Sequence, residues 1–478
     1  MKKIISLILA ALMLFVACAA LAEAPEGYPE IPEGLDFGGQ TVYFYDWWSN
    51  GERMADPDPD TAKLYEYRDW IQEQCNVTIV ETALSDWAGN PTELANIVMN
   101  QDNSKLCLVM LASDFIGSAI ANDLTMPWVI DMSAEKWTPT DLKFVTKNDK
   151  IMGVHTGKVE PRSCIFFNKR VLTEAGIDPE TLYDAQADGT WDWAMMEEMM
   201  KKVTRDTDND GVNDVYGITG SGDDACIALV MSNGATFFDY DENGKLQPTV
   251  GSDAGLEALQ TRIDWWNNYA APQPEGSNWD WFKDYWKQGT TAFYAGQTWQ
   301  GYNDNSEMAD MEDEWGCVMF PKGPKADNYL YMVCDNITVI PAVYDDATSL
   351  KLQQLYDLYT EPTPGVDDED AWIGNKYNYT DERAVDETYF EMMKPEHGVP
   401  HNVFLLGSNN DTIGSNLMWN LWAGTPAEIV EAAMPAWLDK CAVFNGDMTP
   451  EELAAKQAAE AEAAAAAAEE AAEEAPAE

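Results

Sequence analysis

Two hydrophobic patterns alternate along the chain. Residues 41–45 (TVYFY) and 106–112 (LCLVMLA) are continuously apolar, which predicts strands buried on both faces. Elsewhere the period is helical. Leu256, Leu259, Ile263 and Trp266 recur at three- and four-residue steps, as do Leu352, Leu355, Tyr356 and Tyr359 after the start signal Asp345-Asp346. In FFNKRVLTEAGIDP, Asn168 reads as an N-cap, Gly176 as a left-handed stop and Pro179 as the residue just beyond. In GTWDWAMMEEMMKKV, Thr190 can cap a helix whose buried face carries Trp193, Met196, Met200 and Val203, and VYGITG further on begins a strand. Strand-then-helix alternation with no internal repeat predicts an α/β architecture.

The chain has 478 residues, of which 46% are hydrophobic, enough for a large core in two or three domains. A formal net charge of −54 excludes nucleic acid and anionic membrane surfaces as partners, because phosphates would be repelled. Lys2 and Lys3 precede an apolar run from Ile4 to Val16 and then small residues, the pattern of a secretory signal peptide over residues 1–22. Two cleavages are open. Ala20-Leu21-Ala22 gives a released protein starting near Glu23, the favoured route. Phe15-Val16-Ala17-Cys18 loosely matches a lipobox and would leave a cell-surface lipoprotein anchored through Cys18. Seven cysteines follow Cys18, an odd number with no CxxC pair, so a full disulfide framework is not indicated, and Cys107 and Cys164 read as small core residues. Residues 23–37 are read as a linker, and residues 448–478, almost all Ala and Glu, as a solvated tail, partly helical or disordered.

One loop carries metal chemistry. In RDTDNDGVNDVYGI, Asp206, Asp208, Asp210 and Asp214 stand at positions 1, 3, 5 and 9, with Gly211 at 6 and the Val212 carbonyl at 7. Alternating oxygen ligands around a glycine turn suit Ca²⁺, and the absence of His and Cys disfavours zinc or copper. Position 12 is Gly217, where an EF-hand needs a bidentate glutamate, so the expected ion is structural rather than regulatory. The search for catalysis finds no GxSxG, HExxH or phosphate loop. His397 and His401 are separated by Pro400, which breaks the helix a metal pair needs, and His155 stands alone.

FFNKRVLTEAGIDPETL, TWDWAMMEEMMKKV and DTDNDGVNDVYGI, in that order, resemble family 1 extracellular solute-binding proteins of ABC importers. YDWWSNG, WFKDYWKQGTTAFYAGQTW, DEWGCVMFPKGP and NITVIPAVYDDATSLKLQQLYDLY extend the resemblance over residues 40–438. It implies a two-lobed periplasmic-binding-protein-like α/β fold with a ligand cleft between the lobes. Lobe 1 would comprise residues 38–155 and 325–365, lobe 2 residues 156–324 and 366–447, with hinges near His155 and Pro321. The function implied is capture of a sugar or oligosaccharide by lobe closure, without catalysis, and delivery to an ABC transporter membrane permease by a monomer outside the cell. A secreted glycoside hydrolase or lyase, and an adhesin or sensory receptor on the same fold, are the alternatives.

Sugar rings stack their C–H faces on aromatic rings while their hydroxyls take polar partners. The candidate ligand-binding residues are therefore Asp46, Trp47 and Trp48 after the first strand, Asp114 after a later one, Trp279 in a Gly- and Asn-rich loop, and Trp299 after the Gly296 turn, its position in the resemblance adding weight. Trp193 and Trp266, on helix faces, are assigned to packing. With only 29 Lys and Arg in the chain, a neutral oligosaccharide is expected over an acidic sugar.

Overall fold

The computed structural model describes residues 24–134, 136–137, 145–156, 161–301, 306–333, 336–366, 379, 381–394, 398–400 and 417–474. The signal segment with Cys18, and also Cys334, His397 and His401, lie outside the described residues.

The first lobe is built on β1 (Gln40–Asp46), α1 (Pro59–Gln74), β2 (Val77–Ala83), α2 (Asn90–Met99), β3 (Leu106–Leu111) and α3 (Ser113–Ala121). β1 pairs in parallel with both neighbours, Val42 lying opposite Ile79 on one side and Leu106 on the other. Val42 and Val109 are fully buried, as a strand covered on both faces requires.

The second lobe contains β4 (Ser163–Asn168), α4 (Lys169–Glu174), α5 (Glu180–Ala187), α6 (Trp193–Val203), β5 (Tyr216–Gly220), α7 (Gly222–Ser232), α8 (Asp253–Tyr269), α9 (Phe282–Lys287), β6 (Thr291–Gln297) and β7 (Trp315–Met319). Its sheet runs β7-β4-β6-β5. β6 is parallel to β5 and antiparallel to β4, and β4 is antiparallel to β7. All six residues of β4 are buried.

The chain then returns to the first sheet. β8 (Ile337–Val339) adds antiparallel to β3, giving the order β8-β3-β1-β2, and α10 (Asp346–Tyr359) packs behind it. Tyr67 Oη on α1 donates to the Leu358 carbonyl at 2.7 Å, tying the two helices. Where the chain crosses between lobes, Val154 and Thr338 exchange backbone hydrogen bonds at 3.0 and 2.8 Å, and Arg162 N donates to Met332 O at 2.8 Å. His155 is part of this crossing, its Nδ1 lying 3.1 Å from the Asn336 carbonyl. α11 (Pro426–Phe444) packs on the second lobe and touches α3 of the first. The tail forms a helix, α12 (Pro450–Glu474), started by a reciprocal Thr449–Glu452 cap and tied to α11 by Lys456 and Asp439. Among the described residues no helix is long and apolar enough to cross a membrane.

The sequence-based elements appear with two differences. The cap of α6 is Asp192, whose carboxylate accepts from Met195 N at 2.8 Å, not Thr190, which hydrogen-bonds back to Ala185. On α8 the buried stripe is Gly255, Ala258, Leu259, Arg262 and Trp265. Leu256, Ile263 and Trp266 flank it half-buried. An arginine occupies a place in the stripe that polarity alone would deny it. The other cysteines behave as read: Cys107 and Cys164 are free thiols in the core, as are Cys75, Cys226, Cys317 and Cys441.

Asn168 does two tasks at the end of β4. It is fully buried, its Oδ1 accepts from Val171 N at 3.1 Å to cap α4, and its Nδ2 donates to Asp313 at 2.9 Å. Replacing it with Ala leaves both partners short of a hydrogen bond, and should cost about 1–2 kcal/mol of folding stability. A lowered urea midpoint with unchanged slope is the expected measurement.

Candidate ligand cleft between the lobes

β5 ends at Gly220, whose φ is +132° and where a Cβ would sit 2.2 Å from the Ala295 carbonyl oxygen, so no larger residue fits. The turn leads into α7, capped by Ser221, whose hydroxyl accepts from Asp224 N at 3.3 Å. Asp223 and Asp224 thus fall in the first turn of α7, where the helix dipole favours negative charge. These two carboxylates border a cavity of about 1090 Å³. α8 contributes Arg262 and Trp266 to its wall, the following loop contributes Trp279 and Trp281, and the short 3₁₀ turn Met418–Ala423 contributes Trp419 and Trp422. Trp87 enters from the first lobe, between β2 and α2, braced edge-on against Phe115 of α3 at 4.7 Å. The cavity therefore spans both lobes.

The polar wall is organised by hydrogen bonds. Asp223 accepts from Trp419 Nε1 at 3.2 Å, and Asp224 accepts from Gln297 Nε2 at 2.9 Å. Asp224 keeps some surface open to the cavity but sits deep among protein atoms. Burial pushes its carboxyl up to about 6, against the pull of the Gln297 hydrogen bond and the more distant Arg162 charge. Arg262 is 6% exposed, and its Nε donates to the Gly222 carbonyl at 3.1 Å. Its guanidinium stacks 3.4 Å from the Trp266 ring centroid and 5.5 Å from that of Trp422. Burial pushes its pKa down to about 10, opposed by Cys226 and Asp223, so it stays charged at neutral pH.

The six candidate ligand residues are placed differently from one another. Trp279 borders the large cavity and is 77% exposed. Trp299 does not border it, but its Nε1 donates to Gln297 Oε1 at 2.8 Å, and Gln297 in turn holds Asp224. Trp48, 58% exposed, lines two smaller pockets on the first lobe, of about 300 and 130 Å³, the second of which also includes Asp46. Trp47 stands edge-on to Trp48 at 4.8 Å. The Asp46 carboxylate is occupied locally, accepting from Trp48 N at 2.9 Å, Ser49 N at 2.8 Å and Ser49 Oγ at 2.5 Å. That fixes the turn carrying the two indoles. Asp114 falls in the first turn of α3. Trp193 is buried, as its packing assignment requires, whereas Trp266 borders the cavity beneath Arg262. Sequence reasoning passed over Trp87, Trp419 and Trp422. Trp87 follows a strand end directly, and the two others sit three residues apart ahead of the Thr425–Glu428 capping box, a signal in retrospect.

The acidic loop lies between α6 and β5, closed by an antiparallel bridge between Arg205 and Val215. Ligand oxygens of Asp206, Asp208 and Asp210 all lie within 4.8 Å of one another. Asn209 at φ 65° and Gly211 at φ 94° make the turn, and Asp206 accepts from both Asn209 N and Gly211 N at 2.7 and 2.8 Å. Asp214 is turned onto the N–H of Thr207 at 2.6 Å and onto its hydroxyl. Hydrogen bonds from Gly211 and from Thr207 hold the pKa values of Asp206 and Asp214 below the usual carboxylate range. Val212 is exposed. Position 12 of the loop, Gly217, is already in β5 against α6, where a Cβ would lie 2.6 Å from that of Met200. The packing of strand on helix leaves no room there for a glutamate.

The raised pKa of Asp224 has a definite sign. A carboxyl that holds its proton up to about 6 when folded, against 3.8 ordinarily, favours the folded state at low pH, and that contribution is lost as pH rises through about 6. Asp224→Asn mimics the protonated form and keeps an acceptor for Gln297. It should raise the melting temperature at about pH 8 and leave it nearly unchanged at about pH 4. Melting curves of both proteins at the two pH values check this.

No protein-family model matches the chain, and no curated protein sequence matches it. Solved structures do. A cyclic α-maltosyl-1,6-maltose binding protein from Arthrobacter globiformis is 16% identical with a TM-score of 0.57, over 85% of this chain and 99% of that one. An ABC transporter solute-binding protein from Thermotoga lettingae, bound with α-D-tagatose, is 15% identical with a TM-score of 0.54, over 84% and 99%. An ABC substrate-binding protein from Listeria monocytogenes, in complex with cycloalternan, is 15% identical with a TM-score of 0.54, over 83% and 97%. The chain has the two-lobed α/β fold of ABC-transporter solute-binding proteins.

Proposed function

We propose that this protein is an extracellular receptor that captures a sugar or oligosaccharide between its lobes and hands it to an ABC transporter permease, as a monomer and without catalysis. One observation carries the reading. Among the described residues five tryptophans are exposed, and four of them, Trp87, Trp279, Trp419 and Trp422, border the same interlobe cavity. Exposed indoles gathered on one concave surface are costly in water and signal a ligand with apolar faces. The carboxylates and guanidinium beside them suit hydroxyl groups. The volume, about 1090 Å³, slightly exceeds the roughly 300–1000 Å³ of small-molecule sites, which favours several sugar units over one. The solved proteins of this fold named above bind carbohydrates by their own descriptions. Binding would proceed by contact with both lobes and rotation about the paired crossing segments near Val154 and Thr338.

A thermal-shift screen against oligosaccharides tests this. A ligand at a hundred times its dissociation constant adds about 2.7 kcal/mol, a shift of a few degrees. Trp279→Ala should leave the melting temperature of the free protein unchanged, since the ring is 77% exposed, while weakening the sugar at least about tenfold. If no carbohydrate shifts the melt, the reading fails.

The same reading includes a structural Ca²⁺ held by Asp206, Asp208 and Asp210, with the Val212 carbonyl and Asp214 as further oxygens. The donor set fits: hard oxygens only, three of them convergent, on a loop with the glycine turn the ion needs. Bound there, the ion would neutralise the carboxylates and hold the loop, and it takes no part in the cleft. EDTA should lower the melting temperature of the wild type by several degrees but not that of Asp208→Ala, with sugar affinity nearly equal in both. A wild-type melt indifferent to EDTA removes calcium from the account.

A further inference from the structure

Arg262 is the anomaly of the cavity wall. It is 6% exposed, yet among the described residues no carboxylate forms an ion pair with it. Its Nε is satisfied by the Gly222 carbonyl, but its Nη1 is buried with no hydrogen-bond partner. Buried guanidinium groups are ordinarily paired, because a charge taken out of water without a counter-charge is among the most destabilising features a fold can carry. Acidic residues are not scarce here: the chain has 83 Asp and Glu against 29 Lys and Arg. The two nearest in the cavity are engaged elsewhere, Asp223 by Trp419 and Asp224 by Gln297. The indoles of Trp266 and Trp422 stabilise the cation in part, and they also hold it rigidly in place. Their faces offset part of the charge's desolvation and give the Nη1–H no acceptor.

We propose that Arg262 is the specificity-determining residue of the cleft and that its missing partner is a carboxylate on the ligand, which makes the ligand an oligosaccharide containing uronic acid rather than a neutral one. This rests on the sugar-receptor reading and reverses the expectation drawn from overall charge. The argument is local. A net charge of −54 spread over the surface is screened within about 8–10 Å at physiological salt, whereas a desolvated guanidinium acts on what touches it. A neutral hydroxyl could accept from Nη1, but it would bring no counter-charge to a cation that Asp223 supports without forming an ion pair. A carboxylate supplies both the acceptor and the charge, and the planar guanidinium matches its geometry.

The test is calorimetric titration of the wild-type protein with oligomers of galacturonate, of mannuronate and guluronate, and of glucuronoxylan, each paired with the same oligomer after reduction of its carboxyl groups to primary alcohols. The expected result is that one uronate series binds at least about tenfold more tightly than its reduced counterpart, and that Arg262→Met abolishes this difference between the two members of the pair. Arg262→Lys, which keeps the charge without the fork, should retain part of the preference. Equal or tighter binding of the reduced oligomers to the wild type overturns the proposal and leaves the sugar receptor standing. Absence of binding by any uronate or neutral oligosaccharide overturns both. Should Arg262→Met not fold, the paired titration of the wild type decides by itself.

Discussion

The structure depends on two sheets whose central strands have no free face. β1, β4 and β6 each lie between two paired strands, and their backbone groups are satisfied mainly by those neighbours. Helices must then cover both faces, and polar side chains have nowhere to work except at strand ends and in the loops that follow. The carboxylates of Asp223 and Asp224 stand one turn beyond β5, and the Gln297 that holds the second of them is the last residue of β6. The cleft is the place where these ends meet, so its chemistry follows from the burial of the sheets.

This explains how much was legible in the sequence. Continuous apolar runs and capped helices announced the strands and the α/β class, because those patterns arise from burial within one element, whereas the two lobes were implied by the resemblance to solute-binding proteins. The cavity wall is assembled from segments far apart in the chain, and no local period records it. Trp279 was legible as an indole in a loop with no core to fill. Trp419 and Trp422 lie on a turn too short to show a period, and Trp87 is a lone ring after a strand. Trp266 was assigned to packing because it continues a helical stripe, but α8 is rotated so that Arg262 and Trp265 go inward and Trp266 flanks them at the cavity. A rule that sends charged residues to the surface misplaces the stripe by one position whenever a charge is buried for a purpose.

Exposed aromatic surface and buried charge are both destabilising in a protein by itself, and here they occur together. Four exposed indoles leave apolar area in contact with water, and Arg262 leaves a buried donor without an acceptor. Either feature alone could be a compromise of packing. Side by side on one cavity, they describe a surface whose complement lies outside the chain, with apolar faces for the rings and oxygen atoms for the guanidinium. Hydrogen bonds inside the wall, from Trp419 to Asp223 and from Gln297 to Asp224, preorganise the acceptors, so less ordering remains to oppose binding.

The acidic loop and the cleft lie at the two ends of a single strand. β5 is five residues long, about 17 Å, and enters from Val215, which the Arg205 bridge fixes, and leaves at Gly220 for the turn bearing Asp223 and Asp224. Its register is locked at Gly217 by contact with Met200 of α6 and at Gly220 by the close approach of Ala295 on β6. Such a strand transmits position without transmitting flexibility. The loop at one end can therefore stabilise the lobe while the cleft at the other end remains unaffected by which groups neutralise the carboxylates. A metal held by the loop would be separated from the cleft by the five buried residues of β5. Its effect would fall on the melting temperature, and that of a ligand in the cleft on the tryptophans and Arg262.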